Sequence, residues 1–247
     1  MLQKIGMLVL LVAFLVGCQF SETMVLNEDG SGRMKITMDM SEMMAMLPTD
    51  DTTMVAMDSI VSFKQLFESK KDSISQLPQA EQERLKLLEN YQMRMVMNPE
   101  TSKMVYEIFT DFKSVAEANS LMEGLSTTEN MNFSPSGGTT KDPKENEPVV
   151  QATGVKFSFE NNVFKRDGFI KDQEAYNQQL DSIQQLEAFM SGSLYRLEYT
   201  FPKKIKSVSL DDAEISNDGK TVTFQQKFIT YMKNPDALDM VIELEDN

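Results

Sequence analysis

Thioether sulfur is the most abundant soft metal-binding group in this chain, because 20 of its 247 residues are methionine and none is histidine. The segment MKITMDMSEMMAM holds six of these methionines: Met34, Met38, Met40, Met43, Met44 and Met46. Soft thioethers suit Cu(I), so one interpretation is a copper-carrying site. The favoured interpretation is core filling, since Met34, Met38 and Met40 share one face of a strand and no histidine or cysteine accompanies them. No metal or cofactor site is predicted.

The absence of histidine also removes several kinds of catalytic site. A Ser-His-Asp triad, an imidazole general base and a histidine-ligated zinc are all excluded. Neither the GxxxxGK[ST] nor the GxGxxG phosphate-binding pattern occurs. The acidic clusters lack the spacing of a calcium loop, so we interpret them as solvated surface. No catalytic residue is nominated, and the chain is predicted not to be an enzyme.

The single cysteine, Cys18, ends an apolar N-terminal run. One positive charge precedes ten apolar residues, Met7 to Val16. A bilayer core needs about 20 apolar residues to be spanned, so a run of this length is typical of a secretory signal. The sequence Leu15-Val16-Gly17-Cys18 resembles the lipobox of bacterial lipoproteins, which is Leu, a small or branched residue, Gly or Ala, and Cys. The resemblance implies that residues 1–17 are a signal peptide and that Cys18 is the lipidation site.

An acylated Cys18 would anchor the mature chain, residues 18–247, and leave no free thiol for other chemistry. Each buried CH₂ of an acyl chain contributes about 0.8 kcal/mol, and two or more chains give stable anchoring. The expected location is the cell envelope, with the chain lipid-anchored to a bacterial membrane. The outer membrane is favoured over the inner, because Gln19 is not the Asp that retains many enterobacterial lipoproteins. The alternative is a buried N-terminal helix with an incidental cysteine.

The mature chain is strongly acidic. Removal of residues 1–17 leaves 230 residues with 23 basic and 38 acidic side chains, a net charge of −15. Such a surface repels nucleic acid and is unsuited to binding anionic headgroups by charge. The predicted partners are therefore the membrane through the anchor, and either a lipid-like ligand or an envelope protein.

Alternating apolar and polar residues predict antiparallel hairpins. Residues 23–39 alternate on both sides of a turn that contains Asp29-Gly30, and Asn161-Asn162 is expected to form a two-residue type I′ turn. One face of a further hairpin is predicted to carry Met93, Met95 and Met97 opposite Met104, Tyr106 and Ile108. More strands are expected at Tyr195–Phe201, Val208–Ile215, Val222–Phe224 and Met240–Leu244.

Helical periodicity predicts helices between these hairpins. They are expected to begin at Ser41, to follow an apolar stripe from Met57 to Phe67, to begin again at Pro78, and to cover Val115–Leu125 and Gln173–Met190. Residues 126–150 are rich in Ser, Thr, Gly, Pro and charge, so a mobile loop is predicted there. The fold class is α+β: a mostly antiparallel sheet of hairpins packed against several helices, in a single domain interrupted by a disordered loop.

Two segments resemble the LppM-type lipoprotein domain, including lipoproteins from Bacteroidetes. They are LNEDGSGRMKITMDMSEMM, with Asp29-Gly30-Ser31-Gly32, and YTFPKKIKSVSLDDAEISNDGKTVTF, with Phe201-Pro202 and Asn217-Asp218-Gly219. The resemblance implies an α+β envelope domain and, by analogy with mycobacterial relatives, a role in binding lipids. It carries over no site residue.

Three functions remain open. A Met- and Phe-lined interior repacks easily, so a lipid tail is an acceptable ligand if a sheet curls over the helix at Gln173–Met190 and leaves a cavity. A filled core would instead favour an envelope scaffold or assembly protein that binds a protein partner. A methionine-based Cu(I) carrier is kept with low weight.

Overall fold

The structure is a computed structural model that describes residues 19–46, 55–126, 152–187 and 190–246. The predicted signal peptide, Cys18 and the predicted mobile loop up to residue 150 lie outside the described residues, except that Ser126 ends a helix. The described residues form one α+β domain, so the predicted fold class is confirmed.

Twelve strands build two sheets. They are β1 (Gln19–Leu26), β2 (Gly32–Asp39), β3 (Met57–Ser62), β4 (Gln92–Asn98), β5 (Lys103–Phe112), β6 (Thr153–Glu160), β7 (Val163–Ile170), β8 (Leu194–Thr200), β9 (Ile205–Val208), β10 (Glu214–Ile215), β11 (Thr221–Lys227) and β12 (Met240–Leu244). The large sheet has the order β10-β11-β8-β1-β2-β5-β4-β3, and the small sheet has the order β6-β7-β12-β9. All pairs are antiparallel except β1 with β8.

Seven helices are described. They are α1 (Ser41–Met44), α2 (Phe63–Ser69), α3 (Lys71–Ile74), α4 (Gln79–Leu88), α5 (Val115–Ser126), α6 (Gln173–Leu186) and α7 (Phe228–Lys233). Short 3₁₀ turns lie at Pro99–Thr101 and Pro235–Leu238. Helices α2, α4 and α5 contribute Phe63, Leu88 and Ala118 to the main core, so they cover part of the large sheet.

The predicted hairpins are confirmed where local turn chemistry specifies them. Strands β1 and β2 pair in register around a turn in which Gly30 has φ 79°. At Asn161-Asn162 both residues have positive φ, 52° and 61°, as a type I′ turn requires. Between β4 and β5, the predicted partners lie directly opposite one another: Met97 and Met104, Met95 and Tyr106, Met93 and Ile108.

The predicted helical stripe from Met57 to Phe67 is wrong in its first half. Residues Met57–Ser62 form strand β3, which pairs with β4 at the edge of the large sheet, and the helix begins only at Phe63. Ile60 and Val61 are both exposed because an edge strand carries apolar residues on both of its faces here. Pairing with β4 satisfies the backbone of this segment, and this tertiary contact overrides the helical period.

Other boundaries also differ from the predictions. Helix α6 ends at Leu186, and Met190 lies in a turn rather than in the helix. The parallel pairing of β1 with β8 and helix α7 were not predicted.

The main core runs between the two sheets, where the ring of Phe164 on β7 lies 5.4 Å from the rings of both Tyr199 and Phe201.

Candidate functional site

A buried ion pair joins the two sheets. The side chains of Glu22 on β1 and Arg166 on β7 are 1% and 0% exposed, and Arg166 Nη2 donates to Glu22 Oε2 at 3.2 Å. Two hydroxyls from β8 donate to the same carboxylate: Tyr199 at 2.5 Å and Tyr195 at 3.1 Å. The carboxylate thus accepts three hydrogen bonds, which offset much of the cost of removing it from water.

The guanidinium of Arg166 has further contacts. Its Nη1 donates to the carbonyl of Leu238 at 3.4 Å, and its central carbon lies 6.0 Å from the ring centre of Tyr231. Burial by itself lowers the pKa of Arg166, but the Glu22 carboxylate opposes this effect, and the pKa is raised well above its ordinary value. Nε is buried and has no hydrogen-bond partner within the described part of the chain.

Both tyrosines remain donors to the carboxylate. Burial is the main cause that raises the pKa of Tyr195 and of Tyr199 well above the ordinary value, and the charge of Glu22 raises it further. Because the two charged groups are shielded from solvent, a substrate has no access to them. This buried ion pair is therefore suited to holding the two sheets together.

A different surface lies on the other half of the large sheet. On the side of the sheet that faces the core, Met38 of β2 lies opposite Tyr106 of β5, and Tyr106 lies opposite Met95 of β4. One row further along, the amide of Met40 donates to the carbonyl of Met104 at 2.8 Å, and Met97 lies opposite both Met104 and Met57. We call the following residues the methionine face: Met38, Met40, Met57, Met95 and Tyr106.

The methionine face is only partly covered. Met38 and Met57 are exposed, whereas Met40, Met95 and Tyr106 are half-buried. Helix α1 places Met44 against Met97 and Met104 in a small apolar cluster separate from the main core. This helix has only four residues, so it covers the end of the face and leaves Met38 open. Apolar side chains that are exposed together on one face make this face a candidate binding surface.

One polar atom lies within the methionine face. The hydroxyl of Tyr106 is buried and has no hydrogen-bond partner within the described residues, and burial raises the pKa of this tyrosine. A buried donor without a partner costs about 1–3 kcal/mol. Because the hydroxyl is buried, a bound molecule with an acceptor oxygen would recover that free energy only by displacing the flexible methionine side chains beside it. The face therefore combines flexible apolar side chains with one hydroxyl donor.

The opposite face of the same strands is charged. Arg33 Nε donates to Asp111 at 2.6 Å, and Arg94 pairs with both Asp58 and Glu107. The hydrogen bond from Arg33 and its charge hold the pKa of Asp111 below its usual value. These exposed pairs are solvated, and they make this face mainly charged, although Ile60 is also exposed on it.

Helix α6 borders an open depression of about 600 Å³. Its lining residues are Leu180, Gln184, Glu187 and Lys233, and Lys233 Nζ pairs with Glu187 at 2.8 Å. Among the described residues of this lining, none is methionine or phenylalanine. The sequence suggested an apolar cavity under this helix, but the structure places the exposed methionines on the large sheet instead.

The six clustered methionines of the sequence separate in the structure. Met34 is buried in the main core near Tyr91, Met38 lies on the methionine face, and Met40 and Met44 meet Met97 and Met104. The predicted core role is thus confirmed for Met34 and Met44. Cys18, the predicted lipidation site, lies outside the described residues.

The sequence analysis missed the buried ion pair. A detectable signal exists, since Glu22 alternates with Phe20 and Met24 and so occupies an apolar position of a strand. Arg166 likewise stands two residues after Phe164. A single charge on the apolar face of each of two strands indicates a buried partner, but it does not say that the two charges meet.

The described residues contain neither a membrane-spanning helix nor a cluster of metal-binding side chains. None of their helices is long and apolar enough to cross a bilayer. No three or more His, Cys, Asp and Glu side chains among them are placed to hold a metal ion.

Comparison with known proteins gives one structural match. No family model matches the sequence, and no curated protein matches it. The fold is similar to the folded domain of LppM from Mycobacterium tuberculosis, with 8% sequence identity, coverage of 92% of this chain and 89% of that chain, and a TM-score of 0.41. This is a domain of the kind that the two sequence segments resemble. At so low a TM-score, neither the fold nor the function of this chain is inferred from it.

Proposed function

We propose that this protein is a non-enzymatic, lipid-anchored protein of the bacterial cell envelope that binds an apolar, lipid-like ligand on the methionine face. The observation that supports the proposal is the methionine face itself, where partly exposed Met38 and Met95 lie on either side of Tyr106, whose hydroxyl has no hydrogen-bond partner among the described residues.

The chemistry of the face suits a flexible apolar chain. Methionine is unbranched and polarisable, so its side chain adapts to ligands of varied shape. Burial of apolar surface contributes about 25 cal/mol per Å², so an acyl chain covering Met38, Met57 and Met95 gains free energy without any charge contact. The hydroxyl of Tyr106 is buried, so it would donate to an ester or carboxyl oxygen of such a ligand once the flexible side chains of Met38 and Met95 beside it move aside.

The anchor supports the same proposal from the sequence. The lipobox-like sequence ending at Cys18 directs the chain to a bacterial membrane, with the outer membrane favoured. A domain attached to a bilayer lies beside a supply of lipids. An envelope scaffold that binds a protein partner and no small ligand is the alternative from a different class.

A copper function has one specific observation in its favour. Met40, Met44, Met97 and Met104 come together from three separate segments of the chain, and thioethers suit Cu(I). The same four side chains form a small apolar cluster, which accounts for their burial without a metal. Copper therefore stays the lower-weight candidate.

Native mass spectrometry of residues 19–247, secreted with a cleavable signal and purified without detergent, separates these functions. We expect a lipid adduct on the wild-type domain and its loss in Met38→Glu. The matched control is Val25→Glu, because Val25 is an equally exposed apolar strand residue on the opposite face of the sheet. A bare mass would contradict the ligand and favour the scaffold, and retained copper would favour the Cu(I) carrier.

A further inference from the structure

The first strand begins where the anchor ends. Strand β1 starts at Gln19, the residue that directly follows Cys18. Consecutive Cα atoms are about 3.8 Å apart, so no linker separates an acylated Cys18 from the folded domain. The end of the large sheet at which β1 begins is therefore held at the membrane surface.

Strand register shows which residues share that end. Gln19 lies opposite Asp39 at the end of β2 and opposite Leu194 at the start of β8. Lys103 at the start of β5 lies opposite Asn98 at the end of β4. Met57 begins β3. These strand ends lie at the same end of the large sheet. We call them, together with helix α1, the anchor end.

The anchor end carries the most exposed large apolar side chains among the described residues. Val55, two residues before β3, is 74% exposed, and Met46, two residues after α1, is 61% exposed. Met57 is 40% exposed at the start of β3. Exposure of this degree in apolar residues at one end of a domain indicates a contact that the isolated chain does not make.

We infer that the anchor end is seated on the bilayer that holds Cys18, with Met46, Val55 and Met57 in the interfacial layer. This inference rests on the acylation of Cys18 in the proposed function. The polar interface on each side of a bilayer is roughly 5–8 Å thick, so side chains at the level of Gln19 reach it. The methionine face then opens toward the bilayer, and an acyl chain can move onto it without crossing water.

Apolar contact, rather than charge, holds the domain in this position. The mature chain has a net charge of −15, which opposes attraction to anionic lipids. The exposed charges of the anchor end are of both signs, with Lys103 and Lys227 beside Glu42 and Glu100. Insertion of exposed apolar side chains together with an acyl anchor matches how interfacial segments bind membranes.

The absence of tryptophan from the chain allows a direct test. Met57→Trp puts one fluorophore at the anchor end, and Val25→Trp puts one at the other end of β1. The two replaced side chains are 40% and 42% exposed, and both lie in strands. Gln19 and Val25 are six residues apart in β1, which is about 20 Å along the strand. Met46→Trp, at the end of α1, serves as a second probe of the anchor end.

The full chain, acylated in a bacterial host, is reconstituted into phosphatidylcholine vesicles whose acyl chains are brominated. We expect the tryptophans of Met57→Trp and Met46→Trp to lose at least about half of their emission, because an indole ring at the interface comes within reach of the bromines. The emission of Val25→Trp should not change.

The outcomes separate this inference from the proposed function. A chain that does not float with the vesicles in a density gradient would contradict the anchor and the seating together. A chain that floats, but with equal emission loss in all three variants or with none, would contradict the seating and leave the anchor and the ligand surface in place.

Discussion

The two halves of the large sheet bury their inner faces in different ways. The half formed by β1, β8, β10 and β11 is covered by the small sheet, and its polar groups are paired in the core between Glu22, Arg166, Tyr195 and Tyr199. The half formed by β2, β5, β4 and β3 is covered in part by short helices and leaves the methionine face accessible. Both halves contribute to the main core, but in the second half the end that carries Met38 and Met57 stays exposed.

Of the substitutions considered, breaking the buried ion pair in the first half should lower the free energy of unfolding most. Glu22→Gln leaves the guanidinium of Arg166 buried without its counter-charge, so we expect the free energy of unfolding to fall by about 3–5 kcal/mol. Urea denaturation of residues 19–247 measures it. The double variant Glu22→Leu with Arg166→Met should recover part of the loss, because neither charge then stays buried. Additive losses in the double variant would contradict a coupled pair.

Replacing one methionine by alanine in each half compares directly how tightly the two halves are packed. Met24 is fully buried on β1, whereas Met38 is exposed on β2. Met24→Ala should therefore cost about 2–5 kcal/mol of unfolding free energy, as a cavity in a packed core does. Met38→Ala should cost less than about 1 kcal/mol. Equal losses in denaturation would show that the methionine face is packed as tightly as the core.

Asn119 joins helix α5, which covers part of the second half, to the small sheet, which covers the first half. Asn119 on α5 donates to the carbonyl of Phe157 at 2.8 Å and accepts from its amide at 2.6 Å, so it pairs with the edge strand of the small sheet. Asn119→Ala leaves both backbone groups without these partners and should cost about 1–3 kcal/mol. Hydrogen exchange at the amide of Phe157 should speed up in the variant, and unchanged exchange would show that Asn119 does not protect this edge.

Removing an ion pair from the outer, charged face of the large sheet should change stability least. The hydrogen bond from Arg33 lowers the pKa of Asp111, so the pair stabilises the fold at a pH above the ordinary value of that carboxyl. The contribution is lost as the pH falls through the lowered pKa, and it is small because both side chains are exposed. NMR titration of Asp111 should show a midpoint that returns toward the ordinary range in Arg33→Gln. An unchanged midpoint would contradict the pairing.

The features that the sequence predicts correctly are local. Asp29-Gly30 and Asn161-Asn162 impose their turns on any chain, and the turn after β4 sets the register that aligns Met95 with Tyr106. Glu22 and Arg166 are 144 residues apart, and no local pattern states that they meet.

The other features that the sequence did not predict also depend on contacts between distant segments of the chain. Strand β3 was predicted as a helix because its pairing with β4 depends on a partner strand 30 residues or more away in the chain. The methionine face combines residues from three separate hairpin strands and the edge strand. The sequence shows that methionine is abundant, but it does not show which methionines lie together on this face. Composition indicated a Met- and Phe-lined interior with a cavity beside the helix Gln173–Met190, whereas the structure places exposed methionines on the large sheet.

The most direct test of the account is NMR of residues 19–247 labelled with ¹³C at the methionine methyl groups. A short-chain phospholipid, kept below the concentration at which it forms micelles, is added in steps. The account predicts saturable shifts at Met38, Met40, Met57 and Met95. The buried Met24 on β1 and Met240 in the small sheet should stay unchanged. Shifts absent from all four methionines, or confined to groups elsewhere in the domain, would contradict a ligand surface on the methionine face.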